Sequence, residues 1–355
     1  MTANLENYAE NTFGFYANQY VIGRAAKGVS IEYVENIRCN LKHLVSLFPM
    51  AIANIKASQI QSLLNNLCFN NPNAIYGNTS KRVLHEVKRI CGAIFRLAIN
   101  DRIIFWNPVD AVEIPAGEPK HKRKPLSDKQ VQWIIDTPSE MQTSLLIALY
   151  CGLRRSEILA LTWDDIDFEN KTISVSKHAS RNGTIVNKTK TESGKREVPI
   201  PTLLISYLSQ LDHSHQFVAF NTDRPVSANV FCYRMKKYLW LLEEKYGDPA
   251  LCPCKDIGRN GTPVPKGHVV QGIGDPWFAG FTIDTFTIHQ ARHSYCTMCF
   301  DAGLPERACV ARMGHADSQM IHQVYLHLSQ EMDQKCRDMF DDYCDTHFLN
   351  KKIQI

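Results

Sequence analysis

The chain lacks any uninterrupted apolar run of about 18 residues or more, so no membrane-spanning helix is expected. Its first residues, Met1-Thr2-Ala3-Asn4-Leu5-Glu6, lack the basic start and apolar core of a secretion signal. A cytoplasmic chain is the expectation. It has no Walker-type glycine loop, no internal repeat and no low-complexity tract. Large excess charge is missing too: 40 Lys and Arg face 36 Asp and Glu, a net charge of +4. This permits a nucleic-acid partner without demanding one, so local clustering must decide. Cysteine is not scarce, but paired metal-ligand spacing is. The twelve cysteines are scattered and read as reduced thiols. Cys252-Pro-Cys254 with the distant His268 falls short of the four paired ligands of a structural zinc site. Cys296 and Cys299 lie one helical turn apart and read as packing. No metal is expected.

With 355 residues, 44% hydrophobic and 21% charged, the chain is long enough for two domains with their own cores. It reads as mainly α with a small β-sheet, an α+β class. Residues 1–112 read as a helical domain, with segments near 9–24, 30–48, 57–68 and 79–100 carrying apolar residues at three- and four-residue spacing. In the fourth, Asn78 or Thr79 is placed to cap. Val83, Leu84, Val87, Ile90, Cys91, Ile94 and Leu97 form its apolar side. Lys81, Arg82, Lys88, Arg89 and Arg96 fall largely on the other, either as a solvated face or as one laid against phosphates. Asn107-Pro108 is expected to end this unit.

Residues 113–126 read as a linker. It holds three prolines before Leu126 and four basic residues, Lys120, Lys122, Arg123 and Lys124, within five positions. Between two domains that close on a polyanion, such a run suits DNA contact. A second domain is expected over 127–349, beginning with Ser127 as a helix cap. Helices are expected near 128–136 and 139–151, then short strands at 172–176, 183–187 and 196–200, then helices near 202–211 and 227–245. Residues 246–286 lack a clear period and read as a long loop or insertion. Helices are expected again near 289–302, 305–313, around Tyr325 and at 329–346. In the last, Met332, Cys336, Met339, Phe340, Tyr343 and Cys344 form an amphipathic stripe. It packs either on its own domain or on a neighbouring protomer.

The chemistry lies in a spaced series: Arg154, Lys190, His289, Arg292, His315 and Tyr325. Taken singly, each has a plain reading. An arginine is usually a surface charge, a histidine or tyrosine beside apolar residues is usually core, and Lys190 sits in a basic turn. Taken together, two arginines can hold one phosphate, a lysine and two histidines can move protons, and a tyrosine can attack phosphorus. That set suits breaking a DNA backbone without metal or ATP. Glu157, three residues after Arg154, either orients that arginine or is a surface pair.

In these positions the chain resembles the tyrosine recombinase (phage integrase) family. Gly152-Leu-Arg-Arg-Ser-Glu157-Ile-Leu-Ala-Leu-Thr-Trp163 is similar to the family's first box. Lys190 matches its hairpin lysine, and His289-Gln-Ala-Arg292-His293 matches its second box. Met313-Gly314-His315 is similar to its Leu-Gly-His element, with Met for Leu, and Tyr325 stands at the nucleophile position. In the first unit the resemblance is weak, with Asn107-Pro108 the best cue.

The resemblance implies a core-type DNA-binding domain followed by a recombinase catalytic domain. It implies cleavage of duplex DNA by Tyr325, leaving a 3′-phosphotyrosine and a free 5′-hydroxyl. Arg154 and Arg292 would hold the non-bridging oxygens, which planar guanidiniums do better than lysine. Lys190 is the candidate general acid and His289 the candidate general base. His315 would hydrogen-bond the phosphate or aid proton transfer. The covalent intermediate keeps the bond energy, so no cofactor is expected. Four protomers on two sites are implied, with a directionality factor as a further partner. A small N-terminal domain for accessory sites is expected to be absent or cut away. A chromosome-dimer resolving recombinase, a type IB-like topoisomerase and a non-catalytic DNA-binding regulator are the alternatives to an integrase of a phage or mobile element.

Overall fold

A computed structural model describes residues 8–70, 79–116, 124–187, 195–248, 263, 265, 270 and 273–314. The chain divides into two compact units, Met1–Lys122 and Arg123–Ile355.

In the first unit, α1 (Phe13–Ala26) begins where Thr12 accepts a hydrogen bond from the Phe15 amide at 3.2 Å. It starts later than the apolar spacing suggests because Asn11 is held at φ 63°, outside helical space. Ser30 caps α2 (Ile31–Leu41) in the same way, and the chain then tightens into a 3-10 turn over Lys42–Leu47. The expected single helix near 30–48 is therefore two kinds of helix. α3 spans Ala57–Phe69 and α4 spans Lys81–Asn100.

The cap position of α4 is Ser80, not Thr79; Thr79 is buried, its amide donating to the Cys68 carbonyl. Asn78 lies outside the described residues. Leu84, Val87, Ile90, Cys91 and Ile94 of α4 are fully buried among residues of α1, α2 and α3. Burying each such aliphatic side chain contributes roughly 1.5–3 kcal/mol. The helix ends at Asn100, well before Asn107-Pro108. That dipeptide opens a 3-10 turn, Pro108–Ala111, instead of ending the unit. Asn107 is buried, donating to the Gly92 carbonyl at 3.0 Å and accepting from the Val109 amide at 3.1 Å. The chain stays docked beyond it: Gln61 exchanges two hydrogen bonds with the Glu113 backbone, at 2.8 and 3.0 Å. The first residue of the expected linker is thus bonded to the helical unit.

In the second unit, α5 (Asp128–Asp136) carries a capping box between Ser127 and Gln130. Every residue of α6 (Gln142–Cys151) except Tyr150 is buried, and Leu145, Ile147, Ala148, Leu149 and Cys151 have no exposure, as suits a central helix. α7 is a single turn, Arg155–Ile158. The strands are β1 (Ile166–Asp167), β2 (Thr172–Val175), β3 (His178–Ala179), β4 (Ile185–Val186) and β5 (Arg196–Pro199). They form an antiparallel sheet in the order β1-β2-β5 and a separate hairpin, β3-β4. The expected middle strand near 183–187 therefore pairs outside the sheet. Helices α8 (Thr202–Leu208), α9 (Ala228–Tyr246), α10 (Ile288–Asp301) and α11 (Glu306–Met313) follow. No described helix is long and apolar enough to cross a membrane.

Candidate active site

Gly152 ends α6 in the left-handed region, φ 66°. A Cβ there would fall 2.2 Å from Tyr295 Cδ1, so only glycine lets α6 and α10 approach and the chain turn at once. The turn delivers Arg154, which is not inside a helix but at the N-cap of α7. Glu157, the third residue of that turn, reaches back to it. Oε2 accepts the Arg154 amide at 2.8 Å, and Oε1 accepts Arg154 Nη1 at 2.7 Å. Glu157 is not a surface pair, since its side chain is 9% exposed.

Sequence reasoning missed a further partner. Arg196, on β5, donates Nη2 to Glu157 Oε2 at 2.8 Å and Nη1 to Oε1 at 3.2 Å. Strand alternation could have shown it: Arg196 shares a face with Val198, which is fully buried, so an arginine there points inward. Burial alone would raise the pKa of Glu157. Arg196, by hydrogen bonding and charge, and then Arg154 overcome that and hold the carboxyl at about 2.

Arg292 comes from the first turns of α10, whose start is fixed by a capping box between Thr287 and Gln290. The Gln of His289-Gln290-Ala291-Arg292 is thus a cap. Arg292 is 2% exposed. Its Nη1 donates to the Gly152 carbonyl and lies 3.8 Å from Glu157 Oε2, and its Nη2 donates to the Met313 carbonyl at 2.6 Å. Burial first, with the charges of Arg154 and Arg196 adding, pushes its guanidinium down to about 9 against the pull of Glu157. It remains charged at neutral pH.

The three arginines converge on the last carbonyls of α11. Arg196 Nε donates to Arg312 O at 2.7 Å, Arg292 to Met313 O, and Arg154 Nη2 to Gly314 O at 2.8 Å. These carbonyls have no partner within the helix and form its negative end. Gly314 closes it at φ 61°, and a Cβ there would lie 2.8 Å from Arg196 Nη1. Three guanidiniums surround one carboxylate, so these four side chains carry +2, an arrangement that favours an anion. Of the two arginines expected to hold it, Arg154 is the accessible one, at 36% exposure; Arg292 is enclosed. Two of the five N–H groups of Arg154 are used by these partners.

His289 and His293 are half-buried, one turn apart, with ring centroids 4.8 Å apart and planes at 88°. Tyr295 is buried against Gly152, and burial raises its hydroxyl pKa, which unsuits it as a nucleophile. Cys296 and Cys299 are buried, and burial pushes the Cys296 thiol up to about 12. Lys190, His315 and Tyr325 lie outside the described residues. So do Cys252, Cys254 and His268, much of 246–286, and the C-terminal stripe. Among the described residues no cluster of three metal-ligating side chains occurs.

Of the residues expected to meet DNA, Lys81 and Arg82 are exposed. Lys88 donates to the Val112 carbonyl at 2.5 Å, and Arg89 is bonded to both Glu86 oxygens and to Tyr33 Oη. Both are partly committed within their own unit. Lys124 is exposed, while Lys120, Lys122 and Arg123 lie outside the described residues.

Residues 124–249 match the family model described as the phage integrase family. The chain is 24% identical over 321 residues to a tyrosine recombinase XerC-like protein of Caldanaerobacter subterraneus, covering 84% of this chain and 73% of that protein. It is 25% identical over 259 residues to the transposase of transposon Tn916 from Enterococcus faecalis, covering 69% of this chain and 58% of that protein. Its fold matches the Tn1549 transposon integrase in complex with circular intermediate DNA, with a TM-score of 0.65 and 19% identity over 93% of this chain and 100% of that chain. It also matches a lambda integrase tetramer bound to a Holliday junction, with a TM-score of 0.59 and 16% identity over 86% and 78% of the two chains. The chain spans less than two thirds of the Tn916 transposase and somewhat more of the XerC-like protein.

Proposed function

We propose that this chain is a member of the phage integrase family and acts as a site-specific DNA recombinase that integrates or excises a mobile element. The observation that carries this reading is the assembly of Arg154, Arg196 and Arg292 around Glu157 at the end of α11. A phosphodiester under attack gains negative charge on its non-bridging oxygens, and a fixed cluster of excess positive charge stabilises that state more than the ground state.

Tyr325 Oη attacks phosphorus and its proton passes to His289. The phosphorus–O5′ bond breaks, and the leaving 5′-oxygen takes a proton from Lys190. His315 hydrogen-bonds the phosphate. Rejoining reverses each transfer, with a 5′-hydroxyl attacking the phosphotyrosine. The ester is exchanged rather than hydrolysed, so no nucleotide is consumed. Duplex DNA is the substrate and partner. Four protomers on two sites, as in the lambda integrase tetramer, would exchange strands in pairs. A directionality factor would bias the outcome. The helical unit, with Lys81 and Arg82 on its exposed side, would hold one face of the duplex.

The test is a nicked duplex bearing candidate element ends, incubated with protein and examined for an SDS-resistant adduct. Wild type should trap DNA and Tyr325→Phe should not. An adduct in that variant would reassign the nucleophile. Trapping with relaxation of supercoils but no exchange between two sites would mark a topoisomerase instead, and no adduct at all a DNA-binding regulator.

A further inference from the structure

We propose that Arg196 is a positioning residue for Arg154, bracing both Glu157 and the end of α11 so that the Arg154 guanidinium is held in one place. This rests on the recombinase reading of the site. Arg196 and Arg154 never need to touch. Each donates to the same carboxylate, and each donates to the same helix end, Arg196 to the carbonyl of Arg312 and Arg154 to that of Gly314. The two guanidiniums therefore share two anchors, and moving either anchor moves Arg154.

Arg196 is enclosed, with a side chain 6% exposed, so contact with a DNA backbone is not its task. Its planar fork spans both Glu157 oxygens while Nε reaches the helix end, a three-point brace across β5, α7 and α11. Lysine has three donors on one nitrogen and cannot span the same three acceptors. Gly314 belongs to the same device, since a side chain there would press on the Arg196 guanidinium.

The experiment measures DNA affinity and, separately, the single-turnover rate of adduct formation on the nicked duplex at saturating DNA. In Arg196→Lys, affinity should stay within about threefold, because a buried residue makes no phosphate contact. The rate should fall about 100-fold, as displacement of a phosphate-holding group by about 1 Å does. The variant should also gain an acid limb in its rate profile that wild type lacks, because Glu157 loses the partner that most favours its ionised form. Arg196→Lys cleaving within about threefold of wild type overturns the proposal, and so does a parallel loss of affinity and rate. Should the lysine variant fail to fold, Gly314→Ala disturbs the brace from its other end and is judged by the same two readouts. A wild type that forms no adduct would overturn the recombinase reading itself; the role of Arg196 is judged only on the ratio of variant to wild type.

Discussion

Glu157 and Arg196 meet side on, Oε2 to Nη2 at 2.8 Å and Oε1 to Nη1 at 3.2 Å, in a buried contact that joins α7 to β5. Its consequence is pH dependence at the acid end. The Glu157 carboxyl is depressed from the ordinary 4.5 to about 2. Its contribution to stability is therefore fully present above about pH 4.5 and lost as pH falls towards 2, and it amounts to about 3 kcal/mol. Urea titrations of wild type and Glu157→Gln between pH 2 and 6 should show curves that converge at the acid end and separate above pH 4.5. Curves that run parallel across the range would show that the carboxylate is not the group being titrated.

Arg154 and Arg292 should separate catalysis from folding. Arg154→Ala removes a partly exposed side chain and leaves Glu157 paired with Arg196, so it should cost under about 1 kcal/mol of stability. Arg292→Ala orphans the carbonyls of Gly152 and Met313 in a closed interior and should cost about 3–5 kcal/mol. Both should lose adduct formation by about 100-fold or more, Arg154→Ala through loss of the accessible guanidinium and Arg292→Ala through loss of an enclosed charge that also fixes Gly152 and the end of α11. Thermal unfolding beside the nicked-duplex assay checks the contrast. Equal destabilisation by the two substitutions would contradict the enclosure of Arg292.

Gly152→Ala should be among the most damaging single-methyl changes in the second unit. It meets two obstacles at once, a left-handed backbone and a Cβ 2.2 Å from the Tyr295 ring. The expected loss is about 2–4 kcal/mol. Shrinking the ring with Tyr295→Ala in the same chain removes only the contact, so the double variant should remain less stable than Tyr295→Ala alone by about 1 kcal/mol. If Gly152→Ala melts with wild type, the close approach of α6 and α10 at this point is wrong.

Much of this was legible in the sequence because it depends on local rules. The apolar period of α4 and the Ser127 cap are set by neighbours in the chain, and the structure has both. The failures are instructive. Asn107-Pro108 reads as a stop, since proline disfavours helix before it, but the helix had already ended, and buried Asn107 docks the segment back onto Gly92. The segment near 183–187 reads as a strand, of which Ile185–Val186 forms one, but its partner cannot be read from periodicity because pairing is set by the fold. Arg154 and Arg292 stand in motifs that resemble the family's two boxes, whereas Arg196 lies beside Lys195 in a basic stretch and carries no such mark. What makes Arg196 part of the site is that β5, although at the edge of its sheet, buries the face that carries Arg196 and Val198, and that α7, remote in sequence, presents a carboxylate there.

The basic side of α4 divides into two kinds of cation, and salt dependence should tell them apart. Lys81 and Arg82 are exposed at the start of the helix, whereas Lys88 holds the Val112 carbonyl and Arg89 is tied to Glu86 and Tyr33. A lysine or arginine that neutralises a phosphate releases a counterion, and its loss lowers the slope of log affinity against log salt by about 1. The joint substitution of Lys81 and Arg82 to Ala should reduce that slope by about 2 without changing the melting temperature of the protein. Lys88→Ala should do the reverse, leaving the slope intact and weakening the first unit, because it leaves a backbone carbonyl in the docked segment without its donor. Affinity titrations over a range of salt concentrations on one duplex, paired with thermal unfolding, give both numbers. A slope unchanged on losing Lys81 and Arg82 would place the DNA-facing surface of the helical unit elsewhere than the first turn of α4.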